Sequence, residues 1–150
     1  MNKKKYGYCF LAIFIFIIDR LTKLAALTYV QTPQVMNDYL SFELVFNRGV
    51  SWGMFHDASN IVFIFVSGVI ALITLFLCWH TYYLYKKGNS IIGYVCIIAG
   101  SVSNIIDRVA YGAVIDFIVL SYHQYSWPVF NIADMAIVCG VALLLLLDEI

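Results

Sequence analysis

Four stretches of this chain, at 6–27, 61–85, 91–109 and 131–147, are nearly continuous runs of apolar residues. A hydrocarbon core about 30 Å thick is crossed by about 20 helical residues, and inside it every backbone polar group must be satisfied within the fold, as a helix does. Each run therefore predicts a transmembrane helix. The fold class expected is an all-α integral membrane protein with four transmembrane helices, a single domain over 1–150. Composition agrees, because 63% hydrophobic and 12% charged residues depart from the balance of a soluble domain. Nine basic and nine acidic residues leave a formal net charge of zero, so the basic excess that nucleic-acid binding needs is missing.

The few charges orient the spans. Lys3, Lys4 and Lys5 precede the first run, and Lys86 and Lys87 occupy the polar turn between the second and third. The positive-inside rule puts both groups on the cytoplasmic side, which leaves both termini cytoplasmic and the connections 28–60 and 110–130 outside. The first run begins like a cleaved signal peptide, but Asp19, Arg20 and Lys23 interrupt its core and no clean small-residue cleavage site follows. In the first connection, β-formers over 39–46 lead into an Asn47, Arg48, Gly49 turn, which predicts a small extracytoplasmic β-structure. The second holds 114–120, too short to span, which reads as an extended interfacial segment with Tyr122, Tyr125 and Trp127 as interfacial aromatics.

Several chemistries find little support. Cys9, Cys78, Cys96 and Cys139 show no metal-ligand spacing and are expected as buried free thiols. His56, His80 and His123 are scattered, so no metal and no other cofactor is expected. Ser51, Ser101 and Ser103 lack a base on the same membrane face. Gly93 and Gly100 are expected to permit close helix contact.

Ionisable groups inside a span are costly and need a partner or a function. Asp19, Thr22 and Lys23 share one helix face, and an internal ion pair, placed to orient a nearby site, explains them better than direct catalysis. Asn104, Asp107 and Arg108 repeat that spacing. Arg108 either neutralises a carboxylate or offers its planar donors to peptide carbonyls. Asn131 and Asp134 open the fourth helix three residues apart, an ordinary capping arrangement. Asp116 is different: it interrupts an apolar segment, and no Lys or Arg follows it in the chain. An acid without an obvious partner beside a membrane is a functional candidate. If the loop between them folds back, Asp116 and Asp134 meet at the outer face, and two close carboxylates share one proton. Such a pair can activate water for peptide hydrolysis.

These clusters, DRLTK at 19–23, NRGVSWG at 47–53, AGSVSNIIDR at 99–108, GAVIDF at 112–117 and FNIAD at 130–134, resemble in content and order the motifs of lipoprotein signal peptidase, or signal peptidase II. The resemblance implies a four-helix enzyme of the bacterial inner membrane with its site at the outer face. It implies removal of signal peptides from diacylglyceryl-modified prolipoproteins, cut before the lipidated cysteine, and inhibition by globomycin-type peptides. By motif the catalytic dyad falls on Asp116 and Asp134. The supporting positions are Asp19, Lys23, Asn47, Gly49, Asn104, Asp107, Arg108 and Asn131. The expected partners are prolipoprotein substrate and membrane lipid, and the expected state is a monomer. Arg20 stands where Gln is usual, Trp52 replaces a smaller residue, and Ser101 and Ser103 replace small residues. The ending Asp148, Glu149, Ile150 lacks the usual basic tail. These departures bear on substrate fit, and Trp52 is a candidate contact for lipid or peptide.

Two other readings suit four short helices with embedded acids. A proton-coupled exporter would place its key acid near the bilayer midplane, whereas both lead acids here fall at the outer face. A noncatalytic assembly subunit would use the polar clusters only to join helices, and leaves Asp116 unexplained.

Overall fold

The computed structural model describes residues 2–49 and 60–146. In chain order the elements are α1 (Asn2–Tyr29), β1 (Gln34–Val35), β2 (Leu40–Asn47), α2 (Asn60–Lys86), α3 (Ile92–Tyr111), β3 (Val114–Tyr122), β4 (Tyr125–Ser126) and α4 (Ile132–Leu146). Each expected apolar run is a helix. By length and composition, two of the described helices suffice to cross a membrane, α2 at mean hydropathy 2.9 and α3 at 1.3. Helix α4 is apolar but has 15 residues, and α1, with 28, carries Asp19, Arg20 and Lys23.

Helix α3 is the centre of the bundle and packs against α1, α2 and α4. Its sequence explains why. Gly93 lets α4 approach so closely that a Cβ there would meet the Gly140 carbonyl oxygen at 2.8 Å, and a Cβ on Gly140 would meet that of Gly93 at 2.6 Å. Gly100 in turn lies against the Ala133 carbonyl, which brings the start of α4 beside Ser103 and Asn104. Helix α2 is apolar all round and mostly outward-facing, as a helix surrounded by lipid can be. The same logic corrects the cysteines: Cys96 is buried, whereas Cys9, Cys78 and Cys139 are exposed on helix surfaces whose apolar side chains point outward. All four thiols are free.

The expected small β-structure is present, and with it the fold is mixed α and β rather than all-α. A four-stranded antiparallel sheet runs in the order β1-β2-β3-β4. Segment 114–120 is extended as expected and forms an interior strand of the sheet, with β2 and β4 paired on its two sides. Phe117 and Ile118 pack with Ala26 and Val30 at the end of α1. Gly112, at φ +65°, ends α3 in a left-handed turn that feeds β3 directly. The register pairs Val45 with Asp116 and Asn47 with Val114, so the end of β2 lies beside the acid. Tyr39 and Tyr122 stack across the sheet, and Tyr122, Tyr125 and Trp127 are exposed. Ser51, Trp52, Gly53 and His56 lie outside the described residues.

Candidate active site

Helix α1 contributes an ion cluster. Lys23 Nζ lies 2.8 Å from Asp19 Oδ2 and 2.7 Å from Asp107 Oδ2, and donates to Asn104 Oδ1 at 2.8 Å. Asp19 also accepts from Ser103 Oγ at 2.7 Å and, through Oδ1, from the Ala133 backbone N–H at 2.8 Å. The expected Asp19–Lys23 pair exists, but it ties α1 to both α3 and α4. Thr22 turns its hydroxyl back to the Ile18 and Asp19 carbonyls and takes no part. Asp19, Lys23 and Asp107 are almost wholly buried, where charges persist only with partners.

Among the described residues Arg108 forms no ion pair with Asp107, and the carboxylate whose charge acts on it most is Asp134. Asp107 is paired with Arg20 Nη1 at 2.6 Å and with Lys23. One residue along a helix turns the side chain by about 100°, so Asp107 faces α1 while Arg108 faces the cavity. The Arg108 guanidinium donates to the Asn104 carbonyl at 3.4 Å. Sequence reasoning marks Arg20 as a charge interrupting the first run and as a departure from a familiar pattern, and misses its pairing. The signal available was the charge count, since Asp19 and Asp107 are two acids facing one intramembrane lysine, and a second cation is needed to balance them.

Two asparagines carry the network to the acids. Asn131 Oδ1 accepts from the Asp134 N–H at 2.9 Å, and Asp134 Oδ2 accepts from the Asn131 N–H at 3.1 Å. This is a reciprocal cap on α4. The other Asp134 oxygen accepts from Asn104 Nδ2 at 2.8 Å. Asn131 Nδ2 donates to Asp116 Oδ1 at 2.6 Å, with Asn104 Oδ1 and the Ile115 carbonyl each at 3.2 Å. Asn47, at the end of β2, donates to Asp116 Oδ2 at 2.8 Å and accepts the Gly49 N–H at 2.9 Å. All ten expected positions thus lie in or against one region, and Asp134 serves as helix cap while it also faces the cavity.

Asp116 is 1% exposed, and among the described residues it forms no ion pair. Burial raises its pKa to about 7, and the neighbouring charge of Asp134 adds to that, against the amides of Asn47 and Asn131 and the charge of Lys23. A carboxyl in this range gains or loses its proton near neutrality. A cavity of about 1050 Å³ opens beside it. Asn47, Asn104, Arg108, Asp116 and Asp134 form its polar wall, and apolar residues of α2 and α4 form the other. An apolar trough with a few convergent polar groups is the usual form of a site for a partly apolar ligand.

Comparison with known proteins gives the family of the chain. The family model described as signal peptidase (SPase) II matches residues 11–148. The lipoprotein signal peptidase of Dichelobacter nodosus is 35% identical, covering 97% of this chain and 95% of its own length. That of Thermodesulfovibrio yellowstonii is 36% identical over 95% of each chain, and that of Aquifex aeolicus 35% identical over 97% of this chain and 87% of its own. Two solved structures of bacterial membrane enzymes obtained by the in meso method superpose with TM-scores of 0.75 and 0.72. Both are 27% identical; they cover 95% and 93% of this chain and 88% and 90% of their own.

Proposed function

The chain belongs to the signal peptidase II family of bacterial membrane peptidases, a membership that supports cleavage of lipoprotein signal peptides, and from that premise we propose that Asp116 and Asp134 are its catalytic dyad. The observation that carries this reading is Asn131, which holds Asp116 with its side-chain amide and Asp134 with its backbone and side-chain oxygen, on the wall of one cavity. The pair holds one proton between them. The ionised carboxyl takes a proton from water as its oxygen attacks the scissile carbonyl. The protonated one donates to the developing oxyanion, and a proton is then returned to the leaving amine as the C–N bond breaks. No metal or covalent intermediate is needed.

The substrate is a diacylglyceryl-modified prolipoprotein cut before its lipidated cysteine. Its acyl chains stay in the bilayer against the apolar wall of α2 and α4, and the peptide lies along the polar wall, where Arg108 offers donors to its carbonyls. All four helices cross the membrane. Helix α1 tolerates Asp19, Arg20 and Lys23 because each is paired within the bundle. The lysine-bearing ends face the cytoplasm, the sheet and the dyad face outward, the enzyme acts as a monomer, and globomycin-type peptides compete for the cavity.

Purified protein incubated with a diacylglyceryl-modified precursor, beside its unlipidated counterpart, tests the reading by product mass. Cleavage of the lipidated form alone, immediately before the modified cysteine, is expected. Cleavage at another bond, or equal cleavage of both forms, contradicts it.

A further inference from the structure

Two buried carboxylates, Asp19 and Asp107, share the single ammonium of Lys23, and the second cation of the cluster is Arg20. Its guanidinium reaches Asp107 Oδ1 at 2.6 Å and Asp19 Oδ2 at 3.1 Å. It is absent from the cavity wall, so it acts on the site only through other residues. We infer that Arg20 is a positioning residue: by pairing with Oδ1 of Asp107 it leaves Lys23 a donor for Asn104, and Asn104 thereby presents its amide to Asp134.

An ammonium has three donors, and Lys23 spends them on Asp19, Asp107 and Asn104. The last contact fixes which way the Asn104 amide points, because its oxygen must face Lys23 and its nitrogen must then face Asp134 Oδ1. Remove Arg20 and the cluster carries a net negative charge with one Asp107 oxygen unpaired in a buried site. Such an acid draws the nearest cation toward itself, and that cation is Lys23. Asn104 Oδ1 is then left with only the Asn131 amide at 3.2 Å, and the donor to Asp134 is no longer held. The charged groups facing the acids are Asp19 and Lys23 from α1, Arg108 from α3 and Asp134 from α4; of the two on α1 it is Lys23 that holds Asn104, so a change at Arg20 reaches the Asn104 amide through Lys23.

The inference rests on the peptidase reading, and its test separates the two. Arg20→Gln is expected to lower kcat roughly tenfold, with KM within about twofold, the pattern of a lost transition-state arrangement. Arg20→Lys restores most of the rate, and in an Asn104→Ala background Arg20→Gln costs nothing further. Equal losses in both backgrounds, or a lowered melting temperature with kcat of the folded enzyme unchanged, overturn it. An infrared titration of the Asp116 carboxyl, assigned by its disappearance in Asp116→Asn, gives a readout independent of turnover. Arg20→Gln should move the midpoint upward, and Asn104→Ala should abolish that movement. A midpoint that stays put, or one that still moves without Asn104, overturns the relay, whereas a wild-type protein that cleaves no prolipoprotein sinks only the peptidase reading.

Discussion

Asn131 donates its side-chain amide to Asp116 at 2.6 Å while its backbone N–H and side-chain oxygen close a cap with Asp134. One residue therefore sets the relation between two acids that belong to different elements, a strand and a helix. Asn131→Ala should destabilise the fold by about 1–2 kcal/mol through the lost cap and lower kcat by about 10²-fold by releasing Asp116. Denaturant titration in detergent measures the first and steady-state cleavage the second. A loss of stability with full activity would show that the cap matters and the bridge does not.

The pH dependence follows from the pKa of Asp116, raised to about 7. Below it the dyad keeps its shared proton, so kcat/KM should fall on the alkaline side with an apparent pKa near that value, which belongs to the pair as a unit. The stability consequence has the opposite sense to that of an ion-paired acid. The folded pKa lies above the unfolded value of about 3.9, so this group's favourable contribution is complete below about pH 4 and is lost as pH rises through about 7. Asp116→Asn removes that loss, and its melting temperature relative to wild type should improve from pH 4 to pH 8. A constant difference across the range contradicts the raised pKa.

Lys23→Met should be among the most damaging substitutions. It leaves Asp19 and Asp107 buried with Arg20 as their remaining cation, and breaking a buried ion cluster from one side costs about 3–5 kcal/mol. Adding Asp107→Asn restores charge balance and should recover part of the yield of folded protein, scored by size-exclusion profile in detergent. No recovery would mean that packing of the lysine stem, rather than its charge, is what the bundle requires.

Helix spacing gives a third structural prediction. A Cβ at Gly140 would meet the Gly93 carbonyl oxygen at 2.6 Å, and backbone cannot yield there as a flexible side chain can. Gly140→Ala should cost about 1–3 kcal/mol by overpacking, whereas Gly7→Ala, with nothing near it, should be neutral. Thermal melts of the two variants decide the matter.

Much of this was readable in the sequence, and the division has physical causes. Helices were legible because bilayer thickness sets a minimum apolar length, and Asp116 stood out because it interrupts an apolar segment and no Lys or Arg follows it in the chain. Capping alone explains the local pattern of Asn131 and Asp134; only its placement at the same membrane face as Asp116, and the resemblance of FNIAD to a known motif, marked it as more. What the sequence hid depends on rotation and crossing between helices. Asp107 sits next to Arg108 in the chain yet pairs across the bundle with Arg20 and Lys23. The interior position of β3 was hidden too, since it depends on β2 and β4 arriving from distant and adjacent chain. Cys9, Cys78 and Cys139 were misjudged because, on a membrane helix, apolar surroundings in sequence do not mean burial.

The central claim is that Asp116 and Asp134 act as one catalytic unit, and single-turnover cleavage by Asp116→Asn, Asp134→Asn and the double variant tests it most directly. Each folded single variant should lose about 10²–10⁴-fold in rate, the span of general acid–base catalysis, and the double variant should be no slower than either. Either single variant turning over near the wild-type rate, or a double variant slower by the product of the two single losses, would contradict the account.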